Sequence, residues 1–151
     1  MQRRGILTCK QLRVLALASR GLSLAQVAEA LGVSRQDASV ALHRARRNLE
    51  KALETLEAYY AASSPVLVEA APGETVGEVA SRLLEAADRA GVRLPLGRAE
   101  VALLLRGLLR GRLDGDRVAE ETCIALGPEA LPLVVDCGLA SALRSPGGEG
   151  C

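Results

Sequence analysis

The chain of 151 residues has no Phe, no Trp and only two aromatic side chains, Tyr59 and Tyr60. A core built from it must be aliphatic, and aromatic platforms for stacking single-stranded nucleic acid are excluded. His43 is the single histidine, and no pair among Cys9, Cys123, Cys137 and Cys151 has the close spacing of a zinc site. A disulfide framework is not expected either; Cys123 and Cys137 fall on facing strand candidates and read as core residues. The start, MQRRGILTCK, holds no apolar run of signal-peptide length, and no segment approaches a membrane span. The expectation is a soluble, cytoplasmic protein with no membrane partner. A glycine-rich phosphate loop is missing, and no nucleophile stands beside a base. Neither catalysis, cofactor nor metal is expected; Asp114, Asp116, Glu120 and Glu121 read as a solvated turn rather than a cation site. Lysine is scarce beside arginine, two against seventeen, which fits a GC-rich genome or a thermophilic source equally well.

Hydrophobic residues make up 49% of the chain, enough for a core in one domain or two small ones. The net charge of +1 conceals an asymmetry. Residues 1–49 carry nine basic and two acidic side chains, a balance of +7, while the remainder carries ten basic and sixteen acidic, a balance of −6. One basic end is the electrostatic footprint of a duplex-binding module. Phosphate would repel the acidic remainder, so that half needs another role.

The organising stretch is Ser23 to Arg47, SLAQVAEALGVSRQDASVALHRARR. Ser23 with Gln26 forms a capping box, and Val27, Ala28 and Leu31 share one helical face. Gly32 suits the left-handed end of that helix, Val33 can plug the turn, and Ser34 with Asp37 opens the next helix. Ala38, Ala41, Leu42 and Ala45 give the second helix a thin apolar face. Its other face carries Arg35, Gln36, Ser39, Val40, His43, Arg46 and Arg47. This pattern predicts a helix-turn-helix whose second helix enters the major groove. The expected DNA-binding residues are these seven with Ser34, Arg44 and Lys10.

Upstream, Thr8 with Gln11 caps a first helix from Cys9 to about Arg20, with Leu12, Leu15 and Ala16 facing inward and Gly21 ending it. Arg3 and Arg4 could reach phosphates or a minor groove, or belong to a disordered start with no role. Downstream, the third helix meets neither proline nor glycine from Arg35 to about Ala61. Leu42, Ala45, Leu49, Ala52, Leu56 and Tyr59 alternate steps of three and four, a short heptad seam. Either the protein's own second half or a helix from another subunit covers it; a homodimer is the favoured reading.

Ser63-Ser64-Pro65 breaks the helix. Val66-Leu67-Val68 reads as a strand and Pro72-Gly73 as a turn. Thr75 with Glu78 caps an amphipathic helix that buries Val76, Val79, Ala80, Leu83, Leu84 and Ala87 and ends at Gly91. Val92, Leu94 and Leu96 alternate as a short edge strand, where Pro95 is tolerated. Residues 98–110 form a helix that is apolar nearly all round and so expected to be largely buried. Asp114-Gly115-Asp116 is a turn, and residues 117–126 and 131–137 read as a hairpin around Gly127-Pro128. The expected fold is a two-part α/β chain. Residues 1–62 are a trihelical helix-turn-helix domain with a long third helix, residues 66–144 a small α+β regulatory or dimerisation domain, and 145–151 a disordered tail.

Leu7-Thr8, Lys10-Gln11, Gly21, Ala28, Leu31-Gly32 and Ser34-Arg35 resemble the trihelical regulators that include bacterial sigma-factor C-terminal DNA-binding regions and response-regulator output domains. Leu42-His43-Arg44-Ala45-Arg46 is similar to sigma factors in particular. Taken together, Ser34-Arg35, Ser39, Arg44-Ala45, Asn48, Glu50-Lys51-Ala52 and Thr55-Leu56 resemble the archaeal Tfx family of transcriptional regulators. Pro65-Val66, Ala86-Ala87-Asp88, Ala90-Gly91 and Gly111-Arg112 are similar to the C-terminal domain of that family. Leu42 and Ala38 depart from its pattern, and 117–135 matches it loosely. The resemblance implies a sequence-specific double-stranded DNA-binding regulator. Its acidic second half would then dimerise, sense an effector or touch the transcription machinery. The alternative is a protein-interaction adaptor that keeps the trihelical fold without reading bases. The basic face of 35–47 separates the two, because an adaptor has no need of it.

Overall fold

In the computed structural model, which describes residues 3–147, each of the first three helices is opened by a hydroxyl. Thr8 Oγ1 accepts from the Gln11 amide at 3.2 Å, and Gln11 Oε1 accepts from the Thr8 amide at 2.9 Å, starting α1 (Cys9–Ser19). Ser23 and Gln26 make the same reciprocal pair, at 3.3 and 2.8 Å, at the head of α2 (Leu24–Leu31). Ser34 Oγ accepts from the Asp37 amide at 3.0 Å at the head of α3 (Arg35–Ser63). Such caps satisfy donors that no helical carbonyl can reach, and each contributes roughly 1 kcal/mol. Residues 3–8 are not an unstructured start: Arg3–Arg4 (β1) pairs antiparallel with Leu7–Thr8 (β2) around Gly5, whose φ is 61°.

Two compact units meet in sequence between Thr55 and Leu56, inside α3. The core of the first is Val14, Val27, Ala28, Ala38 and Ala41, ringed by half-buried Leu17, Leu22, Leu24, Leu31, Val33 and Leu42. Three of the five central residues are alanines, which let crossing helices approach closely. The frame of α1 differs from expectation. Leu12 and Leu15 are half-buried and Ala16 is exposed, while Gln11 and Val14 are buried. Almost every residue from Leu12 to Ala18 is apolar, so periodicity cannot choose a face. The tie between Gln11 and the Thr8 backbone chooses it instead.

In the second unit, β3 (Val66–Ala70), β6 (Thr122–Leu126) and β7 (Pro132–Val135) form an antiparallel sheet in the order β3–β6–β7. Val66 pairs with Leu126, Ala70 with Thr122, and Cys123 with Val135. The central strand is buried at all five positions because both faces of the sheet are covered. Ile124 and Leu126 join Val76, Val79, Ala80 and Leu83 of α4 (Val76–Arg89) and Val101 and Leu105 of α5 (Arg98–Leu108) in one core. Cys123 and Ala125 face the other way, into a smaller cluster with Ala61 of α3 and Ala140 of α6 (Cys137–Arg144). Thr75 and Glu78 form the expected capping box on α4, and the amide and hydroxyl of Thr75 hold the Glu78 carboxyl below the usual carboxylate range.

Four expectations need correction. Residues 92–96 form no strand: Val92 is buried and Leu94 and Leu96 pack on the core, but the segment joins no ladder. Alternate side chains face inward without pairing, and Pro95 has no amide to donate. The fifth helix is not largely buried: Leu103 and Leu104 are 68% and 42% exposed, and only Val101 and Leu105 of α5 are buried. It is an outer layer on α4, so one stripe suffices. Residues 117–126 are not one strand. Arg117–Val118 (β5) closes a tight hairpin with Leu113–Asp114 (β4), and β6 starts only at Thr122. Finally, the expected second strand of 131–137 stops at Val135. Asp136 Oδ1 accepts from the Leu139 amide at 2.6 Å and opens α6 instead.

That helix carries two cross-links. Cys123 and Cys137 form a disulfide with Cα atoms 5.2 Å apart, against the expectation of two reduced core cysteines. Their separation of 14 residues matches no recognisable spacing; the bond exists because the β6–β7 hairpin returns the chain beside β6. Arg144 donates from Nε to the Ala61 carbonyl (2.7 Å) and from Nη2 to the Ser64 carbonyl (2.8 Å). Those carbonyls lie at the end of α3, where none has a helical partner. The acidic cluster of the sequence is taken apart by ion pairs: Asp116 with Arg106 at 2.7 Å and Glu120 with Arg112 at 3.2 Å. Glu121 sits against Glu69, and that shared hydrogen bond and repulsion raise its pKa. Among the described residues no group of side chains could hold a metal ion, and no helix is long and apolar enough to cross a membrane. Of the expected disordered tail, residues 145–147 follow α6 as a bend and turn, and the rest lies outside the described residues.

Candidate nucleic-acid interface

The turn between α2 and α3 sets the angle at which the third helix leaves. Gly32 takes φ 63° and ψ 37°, a conformation that strains any residue with a Cβ. Its amide and that of Val33 return to the Glu29 and Ala28 carbonyls at 3.1 and 3.0 Å. Val33 is half-buried under the turn. Ala38, Ala41 and Ala45 then lie on the buried side of α3, at 0%, 8% and 0% exposure. At about 100° per residue, the side of α3 opposite those alanines is fixed. It carries Gln36, Ser39, Val40 and His43, all exposed.

Cations flank these four residues. Arg35 and Arg46 fall on one side of the helix and Arg44 on the other, while Arg47 lies one turn beyond His43 in line with Gln36 and Val40; all four are exposed. Ser34, also exposed, stands at the entrance. Lys10 comes from α1, yet it lines a shallow cavity of ≈240 Å³ with Asp37, Val40 and Arg44. The structure therefore brings all ten expected residues to one unit and puts Lys10 beside Arg44. Glu50 and Glu54 are the next exposed residues in line with Gln36 and His43, so this central stripe turns acidic beyond Arg47. This arrangement can accept anions along both edges and at Arg47, while the first two turns of its centre offer neutral donors, acceptors and one apolar contact.

The family model described as "DNA_binding protein, TFX, C-term" matches residues 52–128. The chain belongs to the Tfx family. The matched segment takes in the end of α3 and the second unit as far as the β6–β7 turn. A Thermococcus kodakarensis protein named "Putative transcriptional regulatory protein" is 37% identical over 102 residues, 68% of either chain. Two proteins named "DNA-binding protein Tfx", from Methanothermobacter thermautotrophicus and Methanothermobacter marburgensis, are each 32% identical over 106 residues, 70% of this chain and 77% of theirs. Tfx is a family of DNA-binding transcription regulators, not of enzymes.

Sequence reasoning passed over two residues of this Tfx-family chain that belong to the same surface. Asn48 and Lys51 line a cavity of ≈260 Å³ with Gln11, Arg44 and Arg47. The signal was present: 44, 47, 48 and 51 are one helical face in steps of three and four. It was hidden because the heptad seam drew attention to the opposite face of the same turns. In the second unit a cavity of ≈420 Å³ is lined by Leu108, Arg112, Glu121, Asp136, Cys137 and others. It mixes charges of both signs around the start of α6, and nothing in the sequence pattern foretold it.

Proposed function

We propose that this Tfx-family chain is a sequence-specific double-stranded DNA-binding transcriptional regulator that lays residues 35–47 of α3 in the major groove. One observation carries the reading: Gln36, Ser39, Val40 and His43 form one exposed stripe of α3 with Arg35 and Arg46 along one edge, Arg44 along the other and Arg47 at its end. A major groove has the same cross-section, base edges between two phosphate backbones. Phosphate contacts from Arg46 and Arg47 position the protein, and Arg35 reads bases together with the neutral side chains. Residues 1–62 are the reading head, and residues 66–144 are a regulatory domain that senses an effector or meets the transcription machinery. The ≈420 Å³ cavity beside α6 offers space for a small polar effector.

The test is a salt titration on one random duplex. About four phosphate contacts per subunit give a dimer a log–log slope near −7. Arg46→Ala with Arg47→Ala weakens all duplexes alike and flattens the slope by roughly two per altered subunit. A wild-type chain that binds no duplex, or binds without salt dependence, removes the reading.

The DNA-binding form is a homodimer. Leu49, Leu53, Leu56 and Tyr59 are 45%, 56%, 43% and 58% exposed, a density of apolar side chains that isolated surface helices do not keep. Leu42, Leu49, Leu56 and Tyr59 follow the heptad rule, which is met by a second copy of α3 rather than by an irregular surface. Two-fold pairing would also match two half-sites. Leu56→Glu should give monomers with an unchanged helical signal and reduced affinity for DNA. Light scattering decides it, and a wild-type chain that stays monomeric at high concentration ends the dimer reading.

A further inference from the structure

The cations at the start of the chain stand apart from the groove-reading face and have no role so far. Arg3 and Arg4 are exposed and donate to no acceptor found among the hydrogen bonds of the described residues. They are nevertheless held in place. Arg3 pairs across the hairpin with Thr8, and Thr8 is the cap of α1. At the tip, Asn48 Nδ2 donates to the Ile6 carbonyl at 3.4 Å, so α3 pins the turn. Between hairpin and helix lies a cavity of ≈810 Å³, lined by Arg3, Arg4, Asn48, Lys51 and Thr55 among others, none of them acidic. Asn48 and Lys51 also line the next cavity, with Arg44 and Arg47, and Arg44 lines the third, with Lys10. The three form one strip running Lys10, Arg44, Arg47, Lys51, then Arg3 and Arg4. Asp37 is the single acid lining any of them, in the cavity that Thr8 and Lys10 also line and that neither Arg3 nor Arg4 lines. Arg44 to Lys51 spans about 10 Å at 1.5 Å per residue, the axial rise of roughly three base pairs.

We infer that the β1–β2 hairpin and Lys51 form a second phosphate-binding site, a clamp on one DNA strand just beyond the edge of the groove occupied by α3. The inference rests on the DNA-binding reading and extends it. The backbone that carries the arginines is already paired as a hairpin, so it loses less freedom on binding than a loose arm would. The clamp touches sugar and phosphate only. It adds affinity and footprint length and carries no base preference. Duplex is favoured over an acidic protein segment because the strip starts from Arg44 and Arg47, which also belong to the exposed face proposed to meet the groove. A protein segment would have no reason to follow that face.

The experiment uses the full chain with Arg3→Ala/Arg4→Ala, and separately Lys51→Ala, with wild type titrated in parallel. The salt slope on a random duplex should flatten by about two for the double variant and about one for Lys51→Ala, per bound chain. The ratio of affinities for a selected site and random DNA should stay within twofold of wild type. Hydroxyl-radical footprints should shorten at one edge of each half-site. Arg3→Lys/Arg4→Lys should restore both slope and edge, since charge alone is required. Wild type binding with a slope and footprint that the double variant leaves unchanged overturns the clamp and spares the groove-reading helix. A double variant that loses site preference instead would assign the arginines to base reading and also overturn it. Wild type that binds no duplex removes both.

Discussion

Arg35→Ala and Gln36→Ala, made separately, should each lower preference for a selected site over random duplex by about 1–3 kcal/mol, the range of a bidentate base contact. Both stand in the first turn of α3, the part of a groove helix that comes within reach of base edges. Gln36 occupies the middle of the outer face, directly away from the buried Ala38, Ala41 and Ala45. Arg35 is informative for a different reason. A cation at the N-terminal end of a helix sits against the positive pole of the helix dipole, at a cost of roughly 0.3–1 kcal/mol. Asp37 in the same turn offsets part of this. Folding alone does not favour an arginine there, but an acceptor arriving from outside does. Neither substitution touches the core, so neither variant should melt below wild type, and Arg35→Ala should melt slightly above it because the clash with the helix dipole is removed. The measurement is competition binding with a site selected from a random pool. Equal losses on selected and random duplex would show that both residues meet phosphate only.

Loss of the Cys123–Cys137 bond should destabilise the second unit by about 3 kcal/mol, the chain-entropy value for a loop of this length. In a unit of this size that corresponds to a fall in Tm of roughly 12–24 °C. The bond ties β6, the strand at the centre of the sheet, to the first residue of α6. Without it α6 is held by the packing of Ala140, Leu139 and Leu143 and by the two bonds from Arg144 to the end of α3. Reduced wild type and Cys123→Ala/Cys137→Ala should melt at similar temperatures, both well below the oxidised chain. The alanine variant should fall slightly lower, because the buried Cys123 sulfur is also removed. An oxidised chain that melts with the reduced one would show that the cross-link contributes nothing.

The helix-turn-helix was legible because its devices are local. A hydroxyl with glutamine or aspartate three residues on, a glycine where a left-handed turn is required, and alanines at helical spacing each act within a few residues. All reappear at Thr8, Ser23, Ser34 and Gly32 with the expected partners. The outer face followed automatically, since fixing the buried side of α3 fixes its opposite. Lys10 needed more than spacing: its place beside Arg44 depends on how α1 crosses α3. The hairpin of residues 3–8 was open for the same reason. A two-residue strand has no periodicity to read, and it is held by Asn48, forty-two positions away.

The second unit shows the limit. Alternation at 92, 94 and 96 reported which side chains turn inward, which is a property of the chain. It did not report a strand, which is a property of two chains meeting at a free edge. An apolar run at 101–109 likewise gave a helix without telling how many neighbours cover it, and Leu103 and Leu104 are left exposed. By itself the sequence determined the caps, the breaks at Gly32 and Pro65, the charge asymmetry and the outer face of α3. The energies involved there depend on residues within one or two turns of each other. Only the tertiary structure decided the inward face of α1, the strand order β3–β6–β7, the disulfide, the docking of α6 by Arg144 and the basic strip that reaches the N-terminal hairpin. Each of those depends on groups brought together from distant positions, and the closing of such loops leaves no mark on local composition.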